Sequence, residues 1–303
     1  MISVILMAYG TPRSREEILP YYIDIRRGRP PTDELLAELT GRYEAIGGLS
    51  PLAALTEAQR DAVQHALDSI QPGRFRVTLG LKHAHPMIEE AVADVATVGV
   101  EKVVGLVLAP HYSSYSIGQY VGRATTAAEP HGIEVIGIDS WATESAFINF
   151  LADDMRSRLA KMPPNTKVLF TAHSLPQRII DAGDPYPQEL RATAVAVAEA
   201  VGLREGEQWA IAWQSAGRTP EPWIGPDVLD AIDALAASES PPGGVLVCAC
   251  GFVADHLEVL FDLDIEAKKH AEARGLVFDR TTCVNDNPEV MAALARRIIE
   301  AAG

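Results

Sequence analysis

The sequence predicts an α/β protein made of two Rossmann-like, doubly wound domains, each with a four-stranded parallel sheet flanked by helices. Three observations carry this reading. At 303 residues the chain exceeds what a single core usually organises and suits two compact units. Short runs rich in β-branched residues alternate with longer amphipathic stretches along the whole length. The short runs are also nearly continuous in apolar residues, as expected of parallel strands covered on both faces by crossover helices.

In chain order, strands are expected at residues 4–8, 75–80, 103–108 and 134–138, then at 167–172, 209–213, 244–249 and 276–279. Helices fill the intervals, for example 56–70, 87–97, 144–161 and 189–201. The first domain is assigned to residues 1–142 and the second to 143–287. The final stretch, 288–303, reads as a helix after an Asn-Asp-Asn-Pro cap and is expected to fold back onto the first domain. A faint internal echo relates the halves. VILMAYGTP (residues 4–12) lies over VLFTAHSLP (residues 168–176), which puts Tyr9 and His173 at equivalent strand ends. In open parallel sheets the ligand crevice lies beyond the carboxyl ends of the strands. Tyr9, His83, His111, His173, Gln214 and the start of the 251–258 segment all sit at such ends.

Composition narrows the partners. A formal net charge of -15 opposes nucleic acid and anionic membrane surfaces, so an anionic ligand needs a local basic cluster. The opening MISVILMAYGTP reads as a first strand, not as a signal or transit peptide. No stretch approaches the roughly 18 apolar residues of a membrane span. Three cysteines form no even framework and suit a reducing compartment, so a cytoplasmic location is expected.

Three groups of residues carry chemistry. Glu258, Asp262 and Glu266 are spaced four apart, and on an α-helix each such step turns the position by only about 40°. Three carboxylates on one face repel one another, a cost offset if the row handles divalent cations, and it otherwise reads as a solvated helix face. His173 ends an apolar strand, where α/β folds build sites, and imidazole exchanges protons near neutral pH. Arg26, Arg27 and Arg29 fall within four positions of an acidic chain and mark an anion site, with Arg42, Tyr43 and Ser50 adding a guanidinium and hydroxyls nearby. Cys248, Cys250 and Cys283 are one short of the usual four ligands for zinc or an iron–sulfur cluster, and read as buried strand cysteines.

The segments MAYGTP (7–12), IRRGRP (25–30), RYEAIGGLSPL (42–52), GLKHAHP (80–86), AHSLP (172–176), DPYP (184–187), WQSAGRTPEPWIGPD (213–227) and GFVADHLEVLFDLDIEA (251–267) resemble ferrochelatases over nearly the full length. The start resembles the short Gram-positive-type form, which inserts iron into coproporphyrin III. The resemblance implies a chelatase-like fold, ferrous iron and a porphyrin as substrates, a monomer, and a downstream haem-pathway enzyme as recipient of the product. It implies that His173 and Glu258 form the metal-binding and catalytic pair, with Asp262 and Glu266 continuing an acidic metal path. It implies Tyr9 as axial ligand to the product iron, and Arg26, Arg42, Tyr43, Ser50 and Tyr120 as porphyrin contacts. Some ferrochelatases carry a [2Fe–2S] cluster, whose fourth cysteine is missing here. Protoporphyrin IX, another tetrapyrrole and metal, or haem carriage without turnover are the alternative readings.

Overall fold

The computed structural model describes residues 1–217 and 219–303. Its first sheet contains β1 (Ile2–Ala8), β2 (Phe75–Leu81), β3 (Lys102–Val107) and β4 (Glu134–Ile138). The second contains β5 (Lys167–His173), β6 (Trp209–Gln214), β7 (Gly244–Cys248) and β8 (Val277–Arg280). Both sheets are wholly parallel, in the orders β2-β1-β3-β4 and β6-β5-β7-β8. The same topology is therefore used twice, with β1 and β5 in matching central places. Strand order reverses between β1 and β3 and between β5 and β7, and ligand crevices open at such reversals. Tyr9, His173 and the segment leading to Glu258 directly follow or end three of those four strands.

Twelve α-helical segments accompany the sheets among the described residues. They are α1 (Ile18–Ile25), α2 (Asp33–Ala45), α3 (Leu52–Ile70), α4 (Ile88–Thr97), α5 (Ile117–Ala128), α6 (Ser145–Leu159), α7 (Gln177–Asp181), α8 (Tyr186–Val201), α9 (Val228–Ala236), α10 (Leu257–Leu260), α11 (Lys268–Glu272) and α12 (Pro288–Ala302). The apolar strand runs are explained by burial on both faces. Val4 and Leu6 join a core shared with α3, α6, α8 and α12, while Ile5 and Met7 face a second core beneath α4 and α5. In the second sheet Val168 and Phe170 belong to the shared core, and Leu169, Val245 and Val247 pack with α9 and α11. Asn287 caps α12 by accepting from the backbone N–H of Glu289 and Val290. That helix lies against α3, β3 and β4 of the first half and also touches α6 of the second.

Two glycines shape the loops that reach the crevice. Gly10, after Tyr9, has φ +89°, and a Cβ there would stand 2.8 Å from Cβ of Ala84. At Gly251 a Cβ would lie 2.3 Å from Cβ of Ala172, so the chain leaving β7 can cross the end of β5 only without a side chain. Its N–H donates to the Thr171 carbonyl at 3.0 Å. The acidic segment departs from the regular α-helix that its spacing predicts. Between α10 and α11, residues Asp262–Ala267 form a π-helical turn, closed by the Glu266 N–H donating to the Phe261 carbonyl at 2.9 Å. In this wider turn four residues fall short of a full circle, whereas in an α-helix they overshoot it. The twist from Glu258 to Asp262 is thus partly undone between Asp262 and Glu266, which straightens the row.

Candidate active site

His173 ends β5 in register with Gln214 at the end of β6. Its Nδ1 lies 2.5 Å from the Ser174 carbonyl oxygen, which can only accept, so Nδ1 carries a proton and Nε2 is the nitrogen turned toward Glu258. Nε2 stands 3.6 Å from Oε1 of Glu258. The second carboxylate oxygen of Glu258 lies 3.6 Å from Nε2 of His256, whose Nδ1 donates to the Ala254 carbonyl at 2.9 Å. One carboxylate is therefore flanked by two imidazoles, each oriented by a backbone carbonyl. Buried Gln214 fixes its position. The amide nitrogen donates to the Glu258 carbonyl at 3.0 Å, and the amide oxygen accepts from the Thr171 hydroxyl at 2.8 Å.

Electrostatics follow from this arrangement. Burial pulls the His173 imidazole down, but the Glu258 charge and hydrogen bond outweigh it and lift the group to about 8. Burial pushes Glu258 up, yet His173 and His256 hold it well below the usual carboxylate range. Near neutral pH the pair is imidazolium and carboxylate. Asp262 is only 7% exposed, and burial with the nearby Glu258 charge pushes it up to about 6. It accepts from the Ser215 hydroxyl at 2.5 Å and from Arg42 at 3.2 Å. Glu266 is exposed at the outer end of the row. Among the described residues no three His, Cys, Asp or Glu side chains converge as a metal cage.

The other predicted residues are placed as follows. Tyr9, 42% exposed, stacks obliquely on His83 with ring centroids 4.6 Å apart. Crowding around its hydroxyl and the Glu258 charge push it far above an ordinary phenol, so it is neutral at physiological pH. Tyr43 is buried with its hydroxyl 3.5 Å from that of Thr11, and burial, then Glu258, raise it too. Tyr120 is buried beneath the Lys82 ammonium, 5.0 Å from the ring centroid. The Ser50 hydroxyl accepts from the Leu52 N–H at the start of α3, leaving its proton free to donate. Arg26 closes the end of α1, donating to the Arg29 carbonyl at 3.2 Å. Arg42 reaches across from α2 to Asp262 and stacks on Phe261 at 4.8 Å.

The cysteines do not fit a [2Fe–2S] cluster. Cys248 and Cys250 are packed in the shared core, and Cys283 lies in the separate cluster on the other side of the second sheet. Burial raises the Cys250 and Cys283 thiols well above their ordinary values, away from the thiolate a cluster requires.

Sequence reasoning passed over His256, although it stands two residues before Glu258 in the same motif. It also passed over Ser215, and over Asp24, whose carboxylate lies 2.6 Å from Nδ1 of His83. No spacing signal links residues 24 and 83; only the fold brings them together. His111, counted among the strand-end residues, is buried instead, its Nε2 2.8 Å from the Thr193 hydroxyl, and burial lowers it to about 3.

Two parallel sheets of one topology, with a histidine–carboxylate pair at the strand-order reversal, define a two-lobed chelatase fold. SirB from Bacillus subtilis with Fe3+ superposes on it with a TM-score of 0.60 at 11% identity, covering 100% of this chain and 96% of that one. The chain belongs to the ferrochelatase family, whose family model matches residues 1–302, and is by that membership a metal chelatase enzyme. The coproporphyrin III ferrochelatase of Halalkalibacterium halodurans is 44% identical over 298 residues, covering 97% of this chain and 95% of the relative. That of Oceanobacillus iheyensis is 42% identical over 306 residues, covering 99% and 97%. No helix among the described residues is long and apolar enough to cross a membrane.

Proposed function

We propose that this chain inserts ferrous iron into coproporphyrin III, with His173 and Glu258 as the reacting pair. The observation that carries the reading is the Nε2 of His173 held 3.6 Å from the Glu258 carboxylate at the strand-order reversal. The names of the relatives, at 44% and 42% identity, support coproporphyrin as the ring.

Free porphyrin holds two inner N–H groups and hydrated Fe²⁺ holds a water shell, so insertion sheds water and releases two protons. Glu266, Asp262 and Glu258 take the ion inward by exchanging water for carboxylate oxygen. As the cation neutralises Glu258, the charge that keeps His173 protonated weakens, and the imidazole gives its proton to solvent. Its freed Nε2 then ligates the metal or takes a pyrrole proton, and His256, on the other carboxylate oxygen, offers a second acceptor. The cleft walls pucker the macrocycle to expose nitrogen lone pairs, a distortion sustained by binding energy at the ring edge. That energy comes from Arg26, Arg42 and Ser50 at the propionates, with Tyr43 and Tyr120 as ring contacts. Tyr9, from the opposite sheet, holds the iron after insertion.

Anaerobic incubation with Fe²⁺ and either coproporphyrin III or protoporphyrin IX, followed by the Soret shift, tests the reading. His173→Ala and Glu258→Ala are expected to abolish insertion while porphyrin still binds. Loss of binding in both variants, or equal turnover of the two rings, would overturn the roles or the substrate respectively.

A further inference from the structure

Arg42 has a carboxylate partner in the structure and a further one in the proposed function. Its Nη1 lies 3.2 Å from Oδ1 of Asp262, 220 residues away, in the segment that packs against the second sheet. Its plane rests on Phe261, the residue before Asp262, at 4.8 Å, and its Nε lies 3.7 Å from Glu38 of its own helix. Asp262 is nearly enclosed, with a side-chain exposure of 9%, while Arg42 retains 28%. The arginine therefore fills the approach to the middle carboxylate of the acidic row. A divalent cation arriving there meets a carboxylate already paired with a positive charge, which competes for the same oxygen and repels the newcomer. The proposed function also places Arg42 at a propionate of the ring, and arginine pairs with a carboxylate through a bidentate fork.

We infer that Arg42 exchanges between Asp262 and a ring propionate, so that porphyrin docking uncovers Asp262 for the incoming cation. The inference rests on the proposed function and adds an order to it. The ring binds first and opens the metal lane, which keeps iron from occupying an enzyme with no ring to receive it. Because coupling between two ligands is reciprocal, cation binding at Asp262 must equally strengthen ring binding. Arg42 thereby acts as an exchange residue, and mere anchorage of the ring would not produce this linkage.

The test uses the full chain, Mn²⁺ followed by electron paramagnetic resonance, and zinc coproporphyrin III, a ring already filled and unable to take a second metal. In the unaltered protein the ring is expected to tighten Mn²⁺ binding by about ten-fold, within the usual range of coupling between sites. The tetramethyl ester of the same ring lacks the carboxylates and is expected to give no tightening, a comparison that needs no variant. Arg42→Gln is expected to bind Mn²⁺ tightly with or without the ring, and Asp262→Asn to lose the ring-sensitive component. Equal tightening by acid and ester, no tightening by either, or tightening that persists in Arg42→Gln would overturn the exchange. Iron insertion is measured on the same preparation. Insertion without coupling sinks this inference alone, whereas absence of both ring binding and insertion sinks the functional reading beneath it.

Discussion

Replacing Glu258 by Gln keeps the shape of the side chain and removes its charge, which isolates the electrostatic link to His173. The nearest approach is 3.6 Å, with 35% and 37% of the two side chains exposed. Coulomb's law at that distance gives about 1 kcal/mol in water-like surroundings and about 5 kcal/mol at an effective dielectric of 20. Exposure beyond a third places the pair toward the screened end, so we take about 1 to 2 pKa units at about 1.4 kcal/mol each. His173 titrates at about 8 in the native pair, and in Glu258→Gln it is expected at about 6 to 7. Histidine Cε1 chemical shifts followed from pH 5 to 9 by NMR read this directly, with His173→Ala supplying the assignment. A pKa in the variant within about 0.3 of the native one would refute the reasoning. The site would then owe its basicity to the Ser174 carbonyl or to Asp262, which act in the same direction. The expected shift has a functional corollary. His173 becomes neutral at pH 7 in the variant, so failed insertion there reflects the missing carboxylate and not a blocked base.

Two further outcomes are expected. Divalent-metal binding at the His173–Glu258 pair must displace the His173 proton, so affinity measured by calorimetry should rise about ten-fold per pH unit below 8 and level off above it; a pH-independent affinity would show that His173 is not a ligand. Gly251→Ala sets a methyl 2.3 Å from Cβ of Ala172 and is expected to cost about 1 to 3 kcal/mol in urea unfolding while impairing insertion, because the segment leading to α10 and Glu258 must lift off β5; unchanged stability would show that the crossing does not require glycine.

Much of the fold was legible because burial on both faces leaves an unambiguous mark. Ile5 and Leu6 are both apolar since each meets a different core, and the same holds for Leu169 and Phe170. The site was legible where one residue type at a strand end signals chemistry, as with His173, and where a repeat spacing exposes a row, as with Glu258, Asp262 and Glu266. It was not legible where residues pair between distant parts of the chain. Arg42 reads in sequence as an anion binder beside Tyr43, and nothing local indicates that Asp262 is its partner. Nor does any pattern reveal that Gln214 secures the backbone of Glu258. The π-turn was hidden for a different reason. Its residues have ordinary helix propensities, and within it Leu263 and Ala267 both seat in the same core cluster, a pairing that only the packed fold supplies.

That turn makes the acidic row depend on arithmetic as much as on chemistry. Lines of side chains along a helix keep step only while the number of residues per revolution stays constant, and here the step changes once, between Phe261 and Ala267. A chain shortened by a single residue in this interval would keep Glu258, Asp262 and Glu266 and lose none of their charge. It would nevertheless swing Glu266 off the line, and on the proposed function an incoming ion would lose the carboxylate that receives it first. On the proposed function, the number of residues in this turn matters as much as their identity.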